Sequence, residues 1–150
     1  MKQILVLSYL SVITLLISSC KDPERKNMDF PNYLKNTSWI INNGELIFPD
    51  VEKNYSLSQR IDTAIISNFH AIDFLDEEKF KSYDSWECGN DCFTKVHGRY
   101  SFIGVNQLRL EVDSVTKSGT CQTPTQTFNS LKILIFNISK EKQQLMLIKQ

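Results

Sequence analysis

This sequence has no net charge: 17 Lys and Arg side chains stand against 17 Asp and Glu. A chain without basic surplus has little to offer a phosphate backbone, so nucleic acid is not expected as a partner. Histidine is scarce, with two residues in 150. There is no Gly-x-Ser-x-Gly, no His-Glu-x-x-His and no phosphate-binding glycine loop. Nothing brings a nucleophile, a base and an orienting group together, so neither an enzyme, a catalytic residue nor a cofactor is expected. No stretch carries a capped amphipathic helical period. Internal repeats and low-complexity segments are absent too, which leaves one domain with one core. The first apolar run, Ile4 to Ile17, is about fourteen residues, short of the roughly 20 that a spanning helix needs.

What is present begins with that run. Lys2 supplies a positive start, Ile4 to Ile17 an apolar middle, and Ser18 and Ser19 small residues before a cleavage point, the three parts of a secretory signal over residues 1–19. The sequence Leu16-Ile17-Ser18-Ser19-Cys20 resembles the lipobox of bacterial lipoproteins, with Ile17 where leucine is commonest and serines where alanine and glycine are usual. The resemblance implies that Cys20 is acylated through its thiol and, after cleavage, holds the chain on a membrane by fatty acyl chains such as palmitate. Two or more chains give stable anchoring, because each buried methylene adds about 0.8 kcal/mol. The expected location is the bacterial outer membrane, lipid-anchored and facing the periplasm or the cell surface. Residues 20–33 follow as the lipidated cysteine and a tether: Lys21 to Pro31 is charged, holds two prolines and has little to bury, as flexible linkers do. Lys21-Asp22 with Glu24 faintly resembles the charged signals that send some lipoproteins to the outer surface, though a solvated spacer reads the same way.

Residues 34–150 read as strands. Trp39-Ile40-Ile41 is a short apolar run, Asn42-Asn43-Gly44 a turn signal, and Glu45 to Phe48 a second run before Pro49. Asp50 to Arg60 is polar and is expected to be a loop; Asp62 to Ser67 and His70 to Leu75 are expected strands, with Asp76 to Lys79 as a tip before Phe80 to Trp86. The clearest hairpin is Phe93 to Asp113 around Gly104-Val105-Asn106. There Val96, Gly98, Tyr100 and Phe102, then Leu108, Leu110 and Val112, alternate strictly with polar residues, the mark of a sheet with one buried face. A last hairpin, Phe128 to Ser139 and Gln144 to Lys149, sets Leu145 and Leu147 on one side, with Ile133 and Ile135 as candidates for the same side. The fold class is therefore all-β: a single antiparallel meander of eight or nine short strands, closed or nearly closed into a small barrel, which removes its edges.

Leu34 and Trp39, then Ile72-Asp73-Phe74-Leu75-Asp76, Gly98-Arg99-Tyr100-Ser101-Phe102 with Asn106 to Leu110, and Leu145-Met146-Leu147 together resemble the small lipocalin-like domains of bacterial lipoproteins. META-type domains are a close rival. Neither resemblance carries over an active site. At most it implies a barrel mouth for an apolar or amphipathic ligand, with Trp39, Phe74, Trp86, Tyr100 and Phe102 as candidate lining, or else as core, since side chains can just fill a barrel of about eight strands.

Apart from Cys20 there are Cys88, Cys92 and Cys121. Export favours a disulfide, and an odd number leaves one thiol over. A hairpin turn centred on Gly104-Val105 sets Cys88 opposite Cys121, and one centred on Val105-Asn106 still leaves that pair near; Cys92 with Cys121 and Cys88 with Cys92 remain open. A metal site of Cys88, Cys92, Cys121 and His97 would suit zinc, but His97 falls on the polar face of its strand and no metal is expected. A redox role is weak as well: Cys88 and Cys92 are separated by three residues with no helix start beside them. Asp62-Thr63-Ala64 and Asp113-Ser114-Val115 match a three-residue O-glycosylation signal of some exported proteins. The function expected is binding by an anchored domain, of an unknown small apolar or amphipathic ligand. The alternative is an interaction or inhibitor module that grips an envelope protein with a loop such as Asp50–Arg60 or the cysteine loops.

Overall fold

The computed structural model describes residues 30–44, 46–47, 53–61, 68–86, 91–120 and 123–150. Cys20, Cys88 and Cys121, the first predicted acid-hydroxyl signal and the expected strand 62–67 lie outside them. Eight strands are formed: β1 (Thr37–Ile41), β2 (Asn54–Gln59), β3 (Phe69–Phe74), β4 (Lys79–Ser85), β5 (Cys92–Gly104), β6 (Gln107–Gly119), β7 (Thr123–Glu141) and β8 (Gln144–Lys149). Every neighbouring pair is antiparallel, and the sheet closes into a barrel in the order β1-β2-β8-β7-β6-β5-β4-β3. The all-β closed barrel expected from the sequence is what forms. From β3 to β8 it is a plain meander. The first two strands depart from that order: β2 lies between β1 and β8, and β1 is the neighbour of β3.

Inward residues follow the strand period of two. On β5 and β6 these are Val96, Gly98, Tyr100, Leu108, Leu110 and Val112, all buried, as the alternation predicts. Bulge-like shifts of register at His97/Gly98 and Phe102/Gly104 bend the long hairpin into the wall, which is the usual work of a bulge. Gly98 is required at the bend. A Cβ there would lie 2.1 Å from the Glu111 carbonyl oxygen and 2.7 Å from the Phe80 ring.

Three expectations need correction. The polar stretch Asp50–Arg60 contains β2, because Tyr55 and Leu57 turn inward and are buried while Ser56 and Ser58 do not. Leu46 and Ile47 are buried without strand pairing. On β7 it is Leu134, Phe136 and Ile138 that join Leu145 and Leu147 in the core, and Ile133 is 47% exposed. Both alternate sets of that run are apolar, so the pattern could not choose a face.

The interior is filled. Trp39, Tyr55, Phe74, Phe80 and Phe136 are among its largest fully buried side chains. Tyr55 meets Phe136 edge-on at 6.0 Å, and Phe74 meets Tyr100 at 4.8 Å, the tilted contacts that aromatic quadrupoles favour. Their polar atoms are matched: Trp39 Nε1–H donates to Thr37 Oγ1 at 2.8 Å, and the Tyr55 hydroxyl donates to the Leu46 carbonyl at 3.3 Å. Outside the wall, buried Asp73 lies between Lys81 at 3.3 Å and Arg60 at 3.6 Å.

The chain enters at one end of the barrel and closes it. Leu34 is fully buried, and Asn32 Oδ1 accepts the N–H groups of Leu34 and Lys35. Asn32 Nδ2 donates to the Tyr100 hydroxyl and to the Glu77 carbonyl, each at 3.0 Å, and Tyr33 stacks on Phe102 at 5.0 Å. The packed chain thus includes Asn32 and Tyr33, just ahead of the expected start at residue 34. Burial raises the pKa of the Tyr100 hydroxyl; the bond from Asn32 pulls it back, and the charges of Asp76 and Glu77 push it up further. Burial alone raises that of Tyr33.

Candidate functional site

The other end of the barrel is built from the start of β3, the end of β4 and the start of β5. There the inward positions change from apolar to polar. His70 continues the inward set of Ile72 and Phe74, Asp84 that of Phe80 and Ser82, and Thr94 and Cys92 that of Val96 and Gly98. Strand pairing sets His70 directly opposite Asp84. The two meet at 2.6 Å between Nδ1 and Oδ1, and Asp84 Oδ2 accepts the Thr94 N–H at 2.9 Å.

These contacts make Asp84 a carboxylate with both oxygens engaged and a side chain only 8% exposed. A buried charge is tolerated when it is hydrogen-bonded on each side. By engaging Nδ1 it also fixes the plane of the imidazole and leaves Nε2 as the nitrogen for any further partner. Trp86 stands edge-on to that ring at 5.5 Å and 87°. With Leu46, Asp91 and Cys92 these residues line an open cleft of about 500 Å³. The arrangement can accept or donate one hydrogen bond beside an indole face, which suits binding.

Among the residues predicted to line a cavity, the structure brings only Trp86 to this cleft. Trp39, Phe74 and Tyr100 are buried in the packed core, and Phe102 packs against that core with Tyr33 at the opposite end. His97 is exposed on the outer face, as its position in the alternation predicts. Among the described residues no three His, Cys, Asp or Glu side chains gather to hold a metal ion; Cys88 and Cys121 of the weighed zinc set are outside them. Sequence reasoning missed Asp84 altogether and placed His70 only as the start of an expected strand. Fourteen positions apart, they are joined only by the pairing of β3 with β4. Comparison with protein-family models, with curated proteins and with solved structures finds no match.

Proposed function

We propose that this chain is an exported bacterial lipoprotein, acylated at Cys20 and anchored in the outer membrane facing the periplasm or the cell surface, whose barrel is a binding module. The single observation that carries the binding role is the polar mouth: a hydrogen-bonded Asp84–His70 pair with Trp86 at its rim, above an otherwise apolar interior. The filled core moves the ligand from a lumen to this mouth. A small amphipathic group that lays an apolar face on Trp86 and hydrogen-bonds His70 fits it. The same filled core, with Trp86 and Ile61 exposed on the surface, favours a second reading as a protein-interaction module. The gripping loop imagined at Asp50–Arg60 drops out, since Asn54–Gln59 is strand β2.

We also read the chain as carrying one disulfide. The turn is centred on Val105 and Asn106, so Cys92 faces Gly119, two positions before Cys121 in the sequence. Thr120 N–H donates to the Asp91 carbonyl at 3.3 Å, which brings the residues that precede Cys92 and Cys121 side by side. These points favour Cys92 with Cys121.

Native mass spectrometry of the protein purified from a bacterial envelope tests the binding role. A small-molecule adduct on the wild type that is lost in Trp86→Ala is the expected result. A bare wild-type chain with a co-purifying envelope protein would establish the second reading instead.

A further inference from the structure

We infer that the chain-entry end of the barrel rests on the bilayer and dips the β5–β6 hairpin tip into it. The inference rests on the lipoprotein reading and extends it to how the domain sits on its membrane. The tip exposes Ile103 (39%) and Val105 (72%), and the neighbouring β3–β4 tip exposes Leu75 (44%). Among the described residues, no side chain covers these apolar groups on the two adjacent hairpin ends. The two tips are tied together: Tyr100 N–H donates to the Glu78 carbonyl at 2.6 Å, and the Tyr100 hydroxyl donates to the Asp76 carbonyl.

The entering chain identifies the occupant. Tyr33 stacks on Phe102, three residues before Val105, so the segment leading back to Cys20 leaves the barrel beside this tip. Nine residues lie between Cys20 and Phe30, and a fully extended stretch from one to the other spans at most roughly 35 Å. An anchor that short keeps this end at the bilayer at high effective concentration. Charge on the turns at this end is balanced, Lys35, Lys79, Lys140 and Lys142 against Asp76, Glu77, Glu78 and Glu141. The attraction is therefore burial of apolar side chains among the acyl chains, and anionic lipid is not required.

The test uses the full acylated protein in phosphatidylcholine vesicles, with and without bromine on the lipid acyl chains. Val105→Trp places a reporter at the tip, where the exposed side chain has no packing to disturb. Native Trp39 is enclosed in the core and Trp86 lies at the far end, so the difference from wild type reads position 105. The expected result is a blue-shifted indole emission that loses most of its intensity to brominated lipid, unchanged when phosphatidylserine is added. The intact mass of the same sample reads the acyl chains on Cys20. Acylated protein with an unquenched, water-exposed Trp at 105 overturns the inference and leaves the lipoprotein reading standing. An unmodified Cys20 overturns the lipoprotein reading and the inference with it.

Discussion

A methyl group on Gly98 would collide with backbone on one side and a core ring on the other. The Glu111 carbonyl is part of the β6 ladder and cannot turn away, and Phe80 is fully buried. Gly98→Ala is therefore expected to destabilise the fold by roughly 3 kcal/mol, the upper range for overpacking. A lowered urea midpoint with unchanged m-value would register it; an unchanged midpoint would show that the bend at His97/Gly98 can relax. Individual residues were partly legible in the sequence. The burial of Tyr100 and Leu110 follows from their place in an alternating strand. Ile133 and Ile135 were not legible, because Ile133-Leu134-Ile135-Phe136 is apolar on both faces and only the register with β6 and β8 decides which face is inside.

Among the elements, the β3–β4 turn was legible as a charged tip, and its chemistry follows from one side chain. Asp76 Oδ1 accepts the N–H groups of Glu78 at 2.8 Å and Lys79 at 2.7 Å. These bonds to the ionised form are the main reason its carboxyl titrates below the ordinary value of 3.8. A depressed value means that the turn is supported above the unfolded carboxylate range and that the support is lost as pH falls through the folded value. Titration of the Asp76 side-chain carbon by NMR is expected to give a midpoint below 3.8, with the Glu78 and Lys79 amide signals moving at the same pH. A midpoint at the ordinary value would show that the two hydrogen bonds do not persist in solution. The β5–β6 hairpin was legible in its inward face, since both arms alternate strictly, while the turn centre and the bulges at His97/Gly98 and Phe102/Gly104 depend on the pairing itself. Strand β2 was hidden by its composition, Asn-Tyr-Ser-Leu-Ser-Gln, in which two inward apolar residues carry the whole signal. The mouth was hidden for a different reason. His70 and Asp84 become a pair only once β3 is laid beside β4 in one particular register.

At the scale of the whole molecule, two tyrosines at the closed end link folding to alkaline pH. Burial holds Tyr33 and Tyr100 above the ordinary 10.0, so the native state keeps protons that the unfolded chain releases. The stability this represents is complete below pH 10 and is lost as pH rises through the folded values. Denaturant midpoints are expected to hold up to about that pH and decline beyond it, and Tyr100→Phe is expected to flatten the decline. An equally steep decline in the variant would place the ionisation elsewhere.

The exchange of β1 and β2 also sets an order of events. β2 is seamed to β8, with Tyr55 opposite Leu147, so a chain emerging amino end first holds an unsealed strand until β8 arrives, after every other strand of the barrel. Contacts so distant along the chain are slow to form, because their loop-closure entropy comes before any reward. Closure is thus a late, single act. A nascent chain held in a channel can have its hairpins and still be open, and a release that removed β8 would leave β2 and β7 as two raw edges ready to pair with a neighbour.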